Sequence, residues 1–564
     1  MKEKLYLTDD VAIINFDQAF PNTQENLVGS NTLSNFMMNY IEYLERDDKD
    51  LYHWIVNGRS AREANNALGR LFRQLMVLGV DEIDSYYLND KGKLLQFVEG
   101  LYNYWKGHQR YSVTTTRFSG HSLTPFVISD SQFNSTLRSA YRKIEQTIMG
   151  NKNKVFRNLQ AGTNAAIACY KNKNCKLSEK YDALKDILFI ESVMLRTPMI
   201  LHPRSNKRIG MFEEITDNPI TTFQGDANEF FCFPAKVGQL MIFIYFHRDF
   251  MSAGTSIANL FELASPDECA KKPDGIVIFG NPDDKNQCTF HFDEEENVWV
   301  GSVSYHERIE YFGYMKKMVL TVHNVAMMQR GWLPIHGAFI NVTLKSGKKK
   351  GIMLMGDSGA GKSESIEALK SLGNEVIKDI EVVFDDMGTI HVEDGVPYGQ
   401  GTEIGAFIRL DDLDPGTPYR DMDRSIFFNP DSLNARVITP AAPYSVVATN
   451  HKIDLFCYAN NYDKEEGMRR IDDMEEAKPI FIEGKRMAKG TTQEVGLSTT
   501  YFANPFGPMQ QQEVCQPLID TTFDVLHKNG VYIGEIFTHL GLDKDSRDGI
   551  QIAAQQLLEF IEKE

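Results

Sequence analysis

The sequence predicts an α/β protein, and three features carry that prediction. The first is Gly351-Ile-Met-Leu-Met355, an apolar run of strand length. It leads into Gly356-Asp-Ser-Gly-Ala-Gly-Lys-Ser363 and then into a stretch where Ile366, Leu369 and Leu372 recur at helical spacing before Gly373. The second is the succession of short β-rich runs and helical stretches on either side of that loop. The third is composition: 564 residues, 42% hydrophobic and 24% charged, describe a globular chain too long for a single core.

Taken in order, residues 1–115 read as a helical N-terminal extension. Leu33, Phe36, Met37, Tyr40 and Leu44 lie on one helix face, as do Ala67, Leu68, Leu71, Phe72, Leu75 and Met76. Residues 116–330 read as an α/β substrate domain. It opens near the β-branched run Tyr111–Thr116 and is expected to be helical again over 131–200, where Arg138, Arg142, Lys143 and Arg157 read as a solvated face. Strands follow at Leu240–Phe246, Gly275–Phe279, Thr289–Phe292 and Val298–Val300, joined by acidic turns, and Met318–Arg330 reads as an amphipathic helix. Residues 331–564 read as a nucleotide-binding domain. Its strands are expected at Ile335–Val342, at the loop strand, and at Glu375-Val-Ile-Lys-Asp379, with a helical tail from Gln511.

Net charge of −17 argues against a nucleic-acid partner. The longest apolar run, Leu240–Phe246, is far short of a membrane span, and the first ten residues lack the apolar core of a signal peptide. Seven scattered cysteines without a CxxC pair fit a reducing compartment, so a cytoplasmic location is expected.

The loop at Gly356, Asp357, Ser358, Gly359, Ala360, Gly361, Lys362 and Ser363 matches GxxxxGK[ST] between a strand and a helix. In that context backbone N–H groups and a helix N-terminus face phosphate oxygens. Lys362 is expected to reach the β- and γ-phosphates of a nucleoside triphosphate, and the Ser363 hydroxyl to ligate Mg²⁺. Asp379, at the end of the next expected strand, stands where such enzymes hold metal or metal-bound water.

Tyr311-Phe-Gly-Tyr-Met-Lys-Lys317, then His336, then the phosphate loop, then Asp379, resembles the ATP-dependent phosphoenolpyruvate carboxykinase family. That family carries YAGEMKK, MHCSAN, a phosphate loop and an acidic GDD segment in that order, and the separation of Lys317 from His336 is the family's own. Asn434-Ala-Arg-Val437 with Pro440, Lys489–Glu494 with Asn504-Pro-Phe-Gly507, and Leu542–Asp548 are similar to further family segments. The resemblance covers roughly residues 115 to 564. The loop itself, GDSGAGKSES, is closer to the HPr kinase group of the same superfamily.

The resemblance implies a phosphate-loop nucleotide domain with a mixed sheet, an α/β substrate domain, and conversion of oxaloacetate and ATP to phosphoenolpyruvate, ADP and CO₂. It implies ATP, Mg²⁺ and Mn²⁺ as cofactors. Lys317, His336 and Asp379 would hold Mn²⁺, Arg436 would neutralise the transferring phosphoryl group, Tyr311 would edge the organic substrate, and Arg547 would pack near the base. The family's substrate-carboxylate arginine is replaced by His121 in Arg117-Phe-Ser-Gly-His121, leaving Arg117 as the neighbouring guanidinium. The family's paired acids read Asp379-Ile380 here, with Glu381, Asp385 and Asp386 at hand to compensate. These departures and the loop keep two alternatives open: an HPr-kinase-like enzyme acting on a protein serine or small alcohol with Asp379 as base, and a non-catalytic ATP sensor.

Overall fold

The structure, a computed structural model, describes residues 4–7, 11–15, 21–113, 126–150, 155–156, 164–173, 176–357, 359–373, 375–410, 422–489, 495–542 and 548–563. Arg117, His121, Ser358 and Arg547 lie outside the described residues. The chain is α/β and divides into two compact units: Met1–Gln160 with Pro418–Asp423, and Ala161–Thr417 with Arg424–Glu564.

The first unit is helical around a small sheet. Leu5–Leu7 pairs antiparallel with Val11–Asn15, which pairs parallel with Gln109–Val113. Its helices include Asn31–Asp47, Ala61–Leu75, Lys91–Gly107 and Phe126–Met149. Ser60 and Glu63 form a reciprocal capping box at the start of Ala61–Leu75. The apolar faces read from the sequence are buried, with Phe36, Met37, Tyr40 and Leu44 packed with Leu68, Leu71, Phe72 and Leu75 in one core. This unit runs past the expected boundary at 115, because Phe126–Met149 belongs to it. The expected helix over 131–200 ends at Met149, and Ala165–Tyr170, Leu188–Leu195 and Met199–Leu201 are strands. Buried and open positions alternate only over the last four residues of Leu188–Leu195, so the strand period is weak in the sequence.

From 161 onward the segments expected as two domains form one compact unit with two large mixed sheets. In the first sheet Leu240–His247 pairs antiparallel with Phe230–Val237 and parallel with Gly275–Asn281, which pairs parallel with Val298–Ser304. The helix Gly313–Gln329 packs on these last two strands. It was expected to be amphipathic, yet from Gly313 to Met328 every residue but Lys317 is buried. Its polar side chains therefore face other protein groups.

One of them supplies a prediction. His323 is 1% exposed and its Nδ1–H donates to Asn324 Oδ1 at 3.0 Å. Burial pushes it down to about 4, with Arg330 adding to that and Asn324 and Asp274 opposing. An unfolded histidine takes its proton near 6.5, so between pH 6.5 and 4 the unfolded chain binds a proton that the folded chain refuses. Stability contributed by neutral His323 is therefore full above that window and falls as pH drops through it, by about 3 kcal/mol at most. Urea unfolding at a series of pH values should show this slope in the wild type and a flatter one in His323→Asn.

The second sheet runs His451–Lys452, Val396–Gly401, Met387–Glu393, Leu333–Leu344, Lys349–Met355, Leu455–Asn460, Tyr532–Phe537, Gly467–Arg470. Lys349–Met355 is antiparallel to Leu333–Leu344 and parallel to Leu455–Asn460, which is parallel to Tyr532–Phe537. The tail is thus not wholly helical: Tyr532–Phe537 is a central strand between the helices Gln512–Lys528 and Asp548–Lys563. Among the described residues no helix is long and apolar enough to cross a membrane.

Candidate active site

The phosphate loop leaves the sheet at Met355 and enters the helix Lys362–Leu372 through Gly361, which caps it at φ 101. Ile366 and Leu369 are buried in the core with Ile352 and Leu354, fixing the helix against the strand that feeds it. Asn461 Nδ2 donates to Gly359 O at 3.1 Å and Thr538 Oγ1 to Ala360 O at 2.8 Å, bracing the loop from the neighbouring strand ends. Lys362 Nζ donates to Gly356 O at 2.7 Å and to Asp357 O at 3.1 Å, and burial lowers its pKa. Asp357 itself takes Arg486 Nε at 3.0 Å.

The acid that meets this loop is not Asp379. The expected strand ends later, at Phe384, and Asp379 lies within Ile377–Phe384, exposed and opposite Thr343. The apolar run continues through Val382, Val383 and Phe384, so pairing with Leu333–Leu344 continues too. The chain then turns at Asp385-Asp386. Ser363 Oγ donates to Asp385 Oδ1 at 2.9 Å. A loop hydroxyl beside a carboxylate is a donor set that suits Mg²⁺. Burial pushes Asp385 up to about 6, against the pull of the Ser363 bond and Lys362.

Asp386 is where Lys317 and His336 converge. Its Oδ2 accepts from Lys317 Nζ at 2.7 Å and is ion-paired with Lys316 Nζ at 2.6 Å, and its Oδ1 faces His336 Nε2 at 3.1 Å. Burial works to raise the Asp386 carboxyl, but Lys316, Lys317 and His336 outweigh it and hold it well below the usual carboxylate range. Lys316, fully buried, is also 2.9 Å from Glu403. Two of the three expected metal ligands are therefore brought together, and the third is exchanged for Asp386. Two adjacent acids do occur, as Asp385-Asp386 just past the end of the strand that contains Asp379-Ile380.

The residues present fit a divalent cation by their donor chemistry. His336 Nδ1 lies 2.8 Å from Ala503 O, and a carbonyl only accepts, so Nδ1 carries the proton. Burial lowers the His336 pKa, so the Nε2 proton facing Asp386 Oδ1 is the one a metal ion would displace, giving an imidazole nitrogen and a carboxylate oxygen side by side as ligands. Burial likewise lowers the Lys317 pKa, as a neutral amine ligand requires. Among the described residues no three His, Cys, Asp or Glu side chains form a metal-binding group, so this set depends on the lysine.

Two aromatic rings extend the site. Phe506 carries Lys317 Nζ at 4.6 Å and the Arg208 guanidinium at 5.4 Å from its centroid. Phe407 carries Lys316 Nζ at 5.6 Å and Arg436 at 5.7 Å. Tyr311, 8% exposed, stands 6.1 Å from the Phe407 ring. Among the described residues neither Arg208 nor Arg436 has a carboxylate partner, and burial lowers the Arg208 pKa. Arg436 thus joins the cluster as expected. Arg208, Glu403 and Arg486 were not singled out in the sequence, whereas Lys316 was marked by its place beside Lys317 as a cation that would depress the Lys317 pKa.

No protein-family model matches the chain, and no curated protein matches it either.

Proposed function

We propose that this chain is a metal- and ATP-dependent phosphoryl-transfer enzyme of the phosphoenolpyruvate carboxykinase type, converting oxaloacetate and ATP to phosphoenolpyruvate, ADP and CO₂. The observation that carries the reading is the Asp385-Asp386 pair. One acid bonds the phosphate-loop serine, and the next gathers Lys316, Lys317 and His336 beside it. A nucleotide cradle and a cation-rich pocket are thereby adjacent, as transfer between two anions requires.

Lys362 and Ser363 would hold the nucleotide phosphates. Arg436 and Lys316 on the Phe407 face would offset charge on the transferring group, and Arg208 on the Phe506 face would grip a substrate carboxylate in place of the family's arginine. The two rings keep water from the cations and hold them in place. A divalent ion at Ser363 and Asp385 would neutralise phosphate charge, and Mn²⁺ at Lys317, His336 and Asp386 would act as a Lewis acid on the organic substrate.

A kinase acting on an alcohol or protein serine is the second reading, favoured by Asp385. A carboxyl pushed up to about 6 is closer to a working general base than an ordinary one. One assay separates the two. Wild type with Mn²⁺, MgATP and oxaloacetate should form phosphoenolpyruvate, Lys362→Ala should not, and Arg208→Ala should lose about 2–3 kcal/mol in kcat/KM for oxaloacetate. ATP turnover onto another acceptor, with no phosphoenolpyruvate under any condition, would leave the kinase.

A further inference from the structure

Two segments bring Arg208 and Arg436 to the site, and both side chains are half-buried there although the chain beside each is largely open to solvent. Arg208 lies on a stretch where Lys207, Ile209, Gly210 and Met211 are exposed. Arg436 opens its strand after the turn Asn429–Ala435, whose tip residue Leu433 is 90% exposed. What joins them is a set of side-chain amides. Asn206 Nδ2 donates to Leu433 O at 2.6 Å, and Asn434 Nδ2 returns a bond to Asn206 O at 2.6 Å. Asn429 Nδ2 donates to Pro203 O at 2.9 Å. Beyond Arg208, Ile209 N donates at 2.9 Å to the Tyr314 hydroxyl, on the helix that presents Lys316 and Lys317.

The lacing leaves polar atoms unsatisfied. Asn434 Oδ1 and Arg436 Nε are buried without a hydrogen-bond partner. Such atoms cost free energy, and a turn that served only to reverse the chain would have no reason to keep them. Asn434 also holds a left-handed φ of 63, which asparagine tolerates better than most residues.

We propose that Asn206 and Asn434 are positioning residues. Their amide clasp sets the spacing of Arg208 and Arg436, so that the two guanidiniums together receive one small co-substrate bearing two anionic groups. This rests on the phosphoryl-transfer reading above and adds to it the residues that hold the acidic co-substrate's receptors in register.

The test uses the full-length protein with Mn²⁺ and with the phosphate loop filled by MgADP. Calorimetric titration compares oxalate, a small dicarboxylate, with inorganic phosphate. Asn206→Ala removes the donor to Leu433. Asn434→Gly removes the return bond while keeping the left-handed backbone. Each should weaken oxalate binding by about 10- to 100-fold, the range expected for a misplaced binding group. MgADP affinity and melting temperature should stay at wild-type values, and Asn206→Gln, which restores a donor amide, should recover part of the loss. Oxalate affinity unchanged in both variants would overturn the clasp. So would a parallel fall in MgADP affinity and melting temperature, because the bonds would then serve the fold alone. Wild type binding phosphate but not oxalate, with both variants weakening it, would keep the clasp and remove the carboxylate co-substrate. Binding of neither anion by the wild type would overturn both.

Discussion

Asp386→Asn should lower kcat/KM for phosphoryl transfer by about 10³-fold or more, and Asp379→Asn should leave it near the wild-type value. The two acids lie on one short stretch of chain and differ in everything that matters. Among the described residues Asp386 is the only carboxylate paired with Lys317, and it shares Lys316 with Glu403. An asparagine there keeps the shape but removes the charge that the two ammonium groups surround. It would also replace the carboxylate oxygen that faces His336 Nε2 at 3.1 Å with a neutral amide, a far weaker ligand for a divalent ion. Breaking a largely buried ion pair costs about 3–5 kcal/mol, so the melting temperature should fall as well, with Glu403 left to offset part of the charge on Lys316. Asp379 is exposed on its strand, where such a change is worth no more than about 0.5 kcal/mol. Steady-state kinetics and Mn²⁺ titration by electron paramagnetic resonance, run on both variants, check this. An active Asp386→Asn with full Mn²⁺ affinity would remove the site described above.

The contrast between these acids shows what was legible in the sequence. The phosphate loop is local: strand, glycines and helix follow one another, and all three appear where the spacing puts them. The Lys317–His336 pair was legible only through the family resemblance, whose separation it shares, and the strands Leu240–His247 through Val298–Ser304 through their β-branched and aromatic runs. Asp386 was harder because charged residues interrupt the apolar ones from Glu375 to Glu381, before the run Val382-Val383-Phe384. The first acid after an apolar pair read as the strand's end, whereas pairing with Leu333–Leu344 carries the strand on to Phe384. Pairing partners are chosen by tertiary packing, and the same packing makes Tyr532–Phe537 a central strand in an otherwise helical tail. Arg208 had no local mark. Its neighbours Arg204 and Lys207 are ordinary surface charges, and only the rings of Phe212 and Phe506, at 5.1 and 5.4 Å, set it apart.

Gly484→Ala should destabilise the protein by about 3 kcal/mol or more and, where it remains folded, cut turnover and Mn²⁺ affinity by about 10- to 100-fold. Gly484 ends the helix Met474–Glu483 at φ 56, so any side chain there meets the left-handed penalty. The larger effect is steric. A Cβ would stand 1.9 Å from Thr500 O and 2.4 Å from Ala503 N, and both are backbone, so neither can swing aside. Between them Phe502 and Ala503 are themselves left-handed, at φ 51 and 46, and fully buried. That strained turn aims the Ala503 carbonyl at His336 Nδ1, 2.8 Å away, and so decides which ring nitrogen is left for a metal ion. Moving the turn by even part of an ångström frees the imidazole to rotate or to change tautomer. Gly530→Ala is the matched control: φ is 72, but nothing lies within 4 Å of the added carbon. It should cost only the backbone penalty of about 1–2 kcal/mol and leave Mn²⁺ affinity and turnover intact. Thermal melts and Mn²⁺ titrations of both variants separate strain from site geometry. If Gly484→Ala loses stability but binds Mn²⁺ as tightly as Gly530→Ala does, then His336 is oriented by its own strand and the strained turn serves only the fold.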